Sequence, residues 1–322
     1  MFARASLLLL LLAVNQSPAS ATDYDVCPNF VDCYCSPDEN SITTPSKEGA
    51  LESCLSFLHQ KKLLRFKQLN ILMANKDLSL TENLLMDIQF DEVSVYEANI
   101  TEFNENFLGA SRETVQDVNI LGSKLEIFPK INSSSLVRFL TEETSLLDIP
   151  SDAFQLTPLL KEIKLIGTKF ELLTINSGAF EPLTHLETFY LHAVQKFHLA
   201  KNAAKISSPA FKLFEAWGRM SAEPGAFSGF SNGSALIIDS YEGLWSHDIF
   251  YDLLSPGTTI RTISAQNCNC DVAWIRYSSF RPQVVDVRCL NQYASLPSSL
   301  AYVNFPSCTI GDLDQTMLEN CY

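Results

Sequence analysis

The sequence predicts an α/β solenoid, one stack of short repeats whose parallel strands share a continuous core, and three observations carry the prediction. The stretch Leu136 to Phe154, LVRFLTEETSLLDIPSDAF, holds apolar residues at Leu136, Phe139, Leu146 and Ile149, a short Thr144, then Pro150 and a closing Phe154. The same spacing recurs along the chain at a nearly fixed interval. All nine cysteines stand before or after those repeats. A unit of this kind cannot bury its apolar face alone, so it requires stacked neighbours.

Each unit opens with a short strand. In Leu136 to Phe154 the strand turns Phe139 and Thr141 inward, because alternate side chains of an extended segment face opposite ways. A tight turn follows, and the return path is expected to be irregular, since Pro150 lacks the N–H that a strand or helix interior needs. The first inward strand residues of successive units are Leu69, Val93, Val118, Phe139, Ile163, Phe189, about Phe214, Leu236 and either Ile260 or Ile263. The clear separations are 24, 25, 21, 24 and 26 residues, inside the range of about 20 to 29 for such repeats. The unit opening at Val115 and ending at Pro129 and the one opening at Leu160 and closing at Phe180 fit the pattern best. From Lys196 to Gly233 the closing Phe211 and Phe227 persist while the strand register is ambiguous. About eight repeats over residues 65–266 result, and a solenoid of that length grows in one dimension without dividing into two domains.

The ends have a different character. Residues 1–21 read as a secretory signal: Arg4, an apolar run from Leu7 to Val14, and a small-residue cleavage site at Ala19-Ser20-Ala21. That run is shorter than the roughly 20 residues a membrane span needs, and no later segment suits one, so a secreted, extracellular protein is expected. A net charge of −14, with the 23 basic residues scattered, argues against nucleic acid or an anionic membrane surface as partner.

The cysteines form two groups, one within an N-terminal cap over 22–64 and one within a C-terminal cap over 267–322. Cys27, Cys33, Cys35 and Cys54 make the first; Cys268, Cys270, Cys289, Cys308 and Cys321 the second. In an oxidising compartment they read as disulfides that close the ends of an open stack, in preference to zinc sites. Four N-terminal cysteines allow three pairings, and the sequence leaves them open. Between them, Glu48 to Leu64 has helical spacing at Leu51, Leu55, Leu58 and Leu63.

Signal, caps and repeats together resemble secreted leucine-rich repeat proteins over nearly the whole chain. The resemblance implies a horseshoe with a concave parallel β-sheet, an irregular convex side and disulfide caps. Asn267-Cys268-Asn269-Cys270-Asp271-Val272-Ala273-Trp274, followed by Cys289 and Cys308, is similar to the C-terminal flank of that family, and this implies the pairs Cys268 with Cys289 and Cys270 with Cys308. Length, acidic balance, a long spacing from Cys35 to Cys54 and degenerate late repeats resemble a group of secreted arthropod proteins that includes the non-catalytic subunit of shrimp luciferase, luciferin 2-monooxygenase. What that implies is a non-catalytic partner of a secreted enzyme.

No GxSxG elbow with its serine in a strand-to-helix turn is read, and no GxGxxG, Walker or HExxH pattern occurs, so no catalytic, cofactor or metal residue is expected. His192 and His198 are six apart, about 20 Å in an extended segment, and read as surface histidines. The expected activity is binding of a protein partner on the concave sheet, the alternative being recognition of glycans or microbial surfaces as an immune or adhesion protein. Outward positions are Glu92, Ser94, Tyr96; Asp117, Asn119, Leu121; Arg138, Leu140, Glu142; Glu162, Lys164, Ile166; and Thr188, Tyr190, His192. Among them Tyr96, Leu121, Leu140, Lys164, Ile166, Tyr190 and His192 are the expected contacts, with Leu121, Leu140 and Ile166 in one outward row or a step from it. Asn99, Asn132 and Asn232 open N-x-S/T sequons and are expected glycan sites. Cys321 is left over once each cap uses four cysteines, and points to an intermolecular disulfide with a second copy or an enzyme subunit.

Overall fold

The computed structural model describes residues 30, 32–144, 146–167, 172–192, 195–230, 233–242, 245–266, 268, 270–290 and 298–300. The signal segment, Cys27, Asn232, Cys308 and Cys321 lie outside the described residues, and so does the pairing of Cys270 with Cys308. At the N-terminal end β1 (Tyr34–Ser36) runs antiparallel to β2 (Ser41–Thr44), and β2 lies parallel to β3 (Arg65–Leu72). Helix α1 (Ala50–Lys61) connects them and buries Leu51, Cys54, Leu55 and Leu58. It starts after Gly49 and stops at Lys62, whose left-handed backbone (φ 57°) turns its N–H back to the carbonyls of His59 and Leu58. Leu63 therefore lies beyond the helix. Cys33 is bonded to Cys54, which fastens the helix to the cap, and Cys35 is also disulfide-bonded.

The chain then winds through β4 (Asp77–Leu80), β5 (Gln89–Tyr96), β6 (Asn99–Phe103), β7 (Asp117–Leu121), β8 (Arg138–Glu142), β9 (Asp148–Ile149), β10 (Glu162–Ile166), β11 (Leu173–Ile175), β12 (Thr188–His192), β13 (Lys196–Leu199), β14 (Leu213–Ala222), β15 (Ala235–Tyr241), helix α2 (His247–Leu254) and β16 (Thr259–Thr262). One strand per turn joins a long parallel array in the order β2, β3, β5, β7, β8, β10, β12, β14, β15, β16, within a sheet of 14 strands. This is the architecture of a leucine-rich repeat solenoid. Strand pairing aligns Ile42, Leu69, Val93, Val118, Phe139, Ile163, Phe189, Phe214, Leu236 and Ile260 in one inward row. Ile263 is 47% exposed and falls outside it. Ile42 adds a strand within the cap that the apolar pattern could not reveal, because Thr44 takes the second inward position.

The return side is not wholly irregular. Two short parallel ladders run there, β4 with β6, and β9, β11, β13 and the second half of β14. Pro150 ends β9 after two residues, consistent with its missing donor, but Ile149, Ile175 and Leu199 each bury a side chain and stack in register. Turns after the main strands use left-handed backbone at Glu97, Gly122 and Glu143, a conformation that suits only the glycine without cost. The inward Thr141 of β8 and Thr144 just beyond the strand are fully buried, and among the described residues neither hydroxyl has a hydrogen-bond partner, a local weakness in an otherwise apolar stack.

The ambiguous register has a physical origin in β14. Where other repeats turn, this strand continues: Leu213 to Ala216 pair with β12, and Arg219 to Ala222 pair with β13. A shift in the pairing with β15 between Ala216 and Arg219, with Gly218 at φ 148°, carries the strand from one ladder to the other. The chain here has Trp217 and Gly218 in place of the usual turn residues.

A phenylalanine spine fills the interior. Phe154 stacks on Phe180 at 5.9 Å, Phe180 meets Phe189 edge-on at 4.8 Å, and Phe227 stacks on Phe250 of α2 at 6.1 Å. The C-terminal end is closed by helix α3 (Cys270–Tyr277), which buries Val272, Ala273, Trp274 and Ile275. The Trp274 indole donates to the Trp245 carbonyl, and Cys268 is bonded to Cys289. Strand β17 (Arg288–Cys289) pairs antiparallel with β18 (Ser298–Ser299). Buried Gln266 accepts from the Tyr241 N–H at 2.9 Å and donates to the carbonyls of Asp239 and Ser264, so it knits the last repeats to the cap. Among the described residues no helix is long and apolar enough to cross a membrane.

Candidate functional site

The outward face of the main sheet carries three rows of side chains, fixed by the same register that aligns the core. The first row reads Gln68, Glu92, Asp117, Arg138, Glu162, Thr188, and the middle row Asn70, Ser94, Asn119, Leu140, Lys164, Tyr190, Glu215, Ile237. The last row reads Leu72, Tyr96, Leu121, Glu142, Ile166, His192. Leu140, Lys164 and Tyr190 thus share the middle row, whereas Tyr96, Leu121, Ile166 and His192 share the last. The aliphatic residues Leu121, Leu140 and Ile166 do not form one uninterrupted row: Glu142 stands between Leu121 and Ile166, and Leu140 lies two residues back along β8. The strand phase of β8, set by Phe139 inward, places Leu140 in the middle row.

Toward the N-terminal side the face is a closed polar network. One Glu92 oxygen accepts from Gln68 at 3.2 Å, Asn119 at 3.0 Å and Ser94 at 3.2 Å. Asp117 receives the Arg138 guanidinium through Nε and through Nη2 at 2.8 Å. That pair of bonds raises the Arg138 pKa above its ordinary value, with the charge of Asp117 next in effect; burial opposes it, and Glu162 and Glu92 add to it. The charge on Arg138 is therefore fixed. A shallow depression of about 260 Å³ lies over Glu92, Asp117, Arg138, Leu140, Glu162 and Lys164.

Toward the C-terminal side the face becomes aromatic. Lys164 pairs with Glu162 at 2.6 Å and lies 5.3 Å over the Tyr190 ring. The His192 ring stands edge-on to Tyr190 at 5.9 Å and stacks on Trp217 at 4.6 Å. A single Glu215 oxygen receives both the Trp217 N–H at 2.9 Å and His192 Nε2 at 3.1 Å. Trp217, still 49% exposed, is thus held in place from two sides. Sequence reasoning missed Trp217 and Glu215 because it left the register open there. The signal was available: Trp217 follows Phe214 by three residues, as Tyr96 follows Val93 and His192 follows Phe189.

His198 has a different environment, on the second ladder between Ser221 Oγ at 3.0 Å and Glu223 at 3.6 Å. The Lys201 backbone N–H, and after it His198, lower the Glu223 pKa. The two histidines therefore serve separate contacts. No group of three or more His, Cys, Asp or Glu side chains among the described residues is placed to hold a metal ion. Asn99 sits in β6 with its amide donated to Asp77, and Asn132 donates to Asn106 at 2.8 Å. Neither occupies a strand of the main array.

No family model matches the chain, and no curated protein matches it. Among solved structures it is similar to the protein in the "Crystal structure of TLR13-ssRNA13 complex", at 13% identity and a TM-score of 0.43. The similarity covers 71% of this chain and 32% of that one, so this chain spans about a third of the length of the protein it matches.

Proposed function

We propose that this chain is a secreted, non-catalytic leucine-rich repeat protein whose concave sheet face holds a protein partner. The observation that carries the reading is Trp217, an exposed indole whose position is set by a stacked imidazole and a carboxylate before any partner arrives. Binding energy at protein interfaces concentrates on few residues, with tryptophan, tyrosine and arginine enriched among them. An anchor already held in its rotamer loses little entropy on binding. Tyr190, His192 and Trp217 form the centre of the contact in this account; Tyr96, Leu121, Leu140, Lys164 and Ile166 extend it.

The same reading covers the rest of the chain. It has a signal over 1–21, caps over 22–64 and 267–322, a bridge between Cys270 and Cys308, and a horseshoe in which the outward sheet is the concave side. Glycans on Asn99 and Asn132 would then decorate the protein away from the contact rows, Asn232 would carry a third, and Cys321 would form a disulfide with the partner or a second copy. The resemblance to the shrimp luciferase group makes a secreted enzyme subunit, stabilised by this chain, the first partner class to test.

The test is capture from the native secreted fluid. Wild-type protein is expected to retain a stoichiometric protein partner, and the changes Tyr190→Glu and Trp217→Asp are expected to weaken that complex by more than about 2 kcal/mol each, with secretion unchanged. Unchanged affinity would move the contact to the return side or the caps. Saturable binding of a polysaccharide without any protein partner would instead favour a glycan-recognition protein, and turnover by the isolated chain would make it an enzyme.

A further inference from the structure

We infer that the sheet face receives a basic side chain of its partner at Glu142, an inference that rests on the face being the contact surface. Strand pairing puts Glu142 directly between Leu121 and Ile166, about 5 Å from each by the spacing of neighbouring strands. Leu140 lies two residues back on the same face of β8, about 7 Å away. A carboxylate is thus set among three aliphatic side chains.

Its charge is also the one left over. Glu92 is held by Gln68, Ser94 and Asn119, Asp117 by Arg138, Glu162 by Lys164, and Glu215 by His192 and Trp217. Asp239, farther along on β15, accepts from Ser264. Among the described residues of these rows, Glu142 is exposed and has no hydrogen-bond or ion-pair partner. An arginine or lysine fits both features of the site. Its alkyl stem packs on apolar side chains while its head keeps to a polar partner, here Leu121, Leu140 and Ile166 around the Glu142 carboxylate. The last row continues from Ile166 to His192 and the stacked Trp217, so the partner segment carries a basic residue followed by apolar or aromatic ones. The acidic balance of the whole chain favours the approach of such a segment.

The probe is a capped, tryptophan-free peptide of leucines and alanines with one central arginine, paired with a twin in which neutral citrulline replaces the arginine. Of the three tryptophans, Trp245 and Trp274 are 2% and 6% exposed, so a change in emission on titration reports Trp217. The arginine peptide is expected to bind wild-type protein about five- to tenfold more tightly than its twin, the range for an ion pair partly withdrawn from water. Glu142→Gln should abolish that preference, and high salt should reduce it. Equal binding of the two peptides, a preference that survives Glu142→Gln, or no binding of either to the wild type would each overturn the inference. A native partner released by Trp217→Asp but indifferent to Glu142→Gln would remove this inference and leave the contact face in place.

Discussion

Phe180→Ala is expected to destabilise the solenoid by about 3–5 kcal/mol, the range for removing a fully buried aromatic ring. Phe180 has no exposed surface, and its ring lies 4.8 Å from Phe189, 5.9 Å from Phe154 and 6.3 Å from Phe214. Those neighbours belong to three other turns of the stack. The spacing between turns is fixed by strand hydrogen bonds, so the walls of the cavity cannot close on it as a loosely packed site would. Contacts in such a stack run mainly between adjacent turns, with Phe214 here reached from two turns away, so a break at this level weakens the interface between the two halves of the spine. Denaturant unfolding followed by circular dichroism measures the loss. Ile127→Ala, at a side chain 80% exposed, serves as the control and should stay within about 0.5 kcal/mol of the wild type.

The second large effect is expected at the C-terminal cap. Replacing Cys268 and Cys289 together by alanine should cost about 2–5 kcal/mol. The two residues are 21 apart in sequence, and closing a loop of that size in the unfolded chain accounts for about 3 kcal/mol. The bridge also holds α3 over the end of the core, where Trp274 packs at 6% exposure and donates to the Trp245 carbonyl. Without it, hydrogen exchange should accelerate first in β16 and α3, while β5 to β10 keep their protection. Uniform acceleration over the whole chain would mean that the cap is part of one cooperative unit with the repeats.

The core was legible because it obeys a spacing rule that single residues reveal. Inward residues such as Val118, Ile163 and Phe189 are apolar in a polar context, and their recurrence follows from one strand per turn. The first strand was not legible, because β2 offers only Ile42 as an apolar inward residue. The second ladder was hidden for a related reason: two- to four-residue strands such as β9 and β11 are too short to show alternation, and Pro150 argued against any strand nearby. The region of β14 defeated the pattern because the strand does not turn where its neighbours do. That single departure also concealed Trp217, the residue the proposed contact depends on most. The outward rows were half legible: strand phase gave each residue its side of the sheet, but the relation of Leu121, Leu140 and Ile166 across strands needed the pairing of β7, β8 and β10.

Hydroxyl-radical footprinting of the complex with the captured partner tests the contact face most directly, because it reads side-chain exposure in sheet residues whose amides are already hydrogen-bonded. The account predicts that oxidation of Tyr190, His192 and Trp217 falls on complex formation, while Ile127 and Leu147, 80% and 64% exposed on the other side of the repeats, are oxidised as in the free protein. Protection of Ile127 and Leu147 with Trp217 left as reactive as before would contradict it.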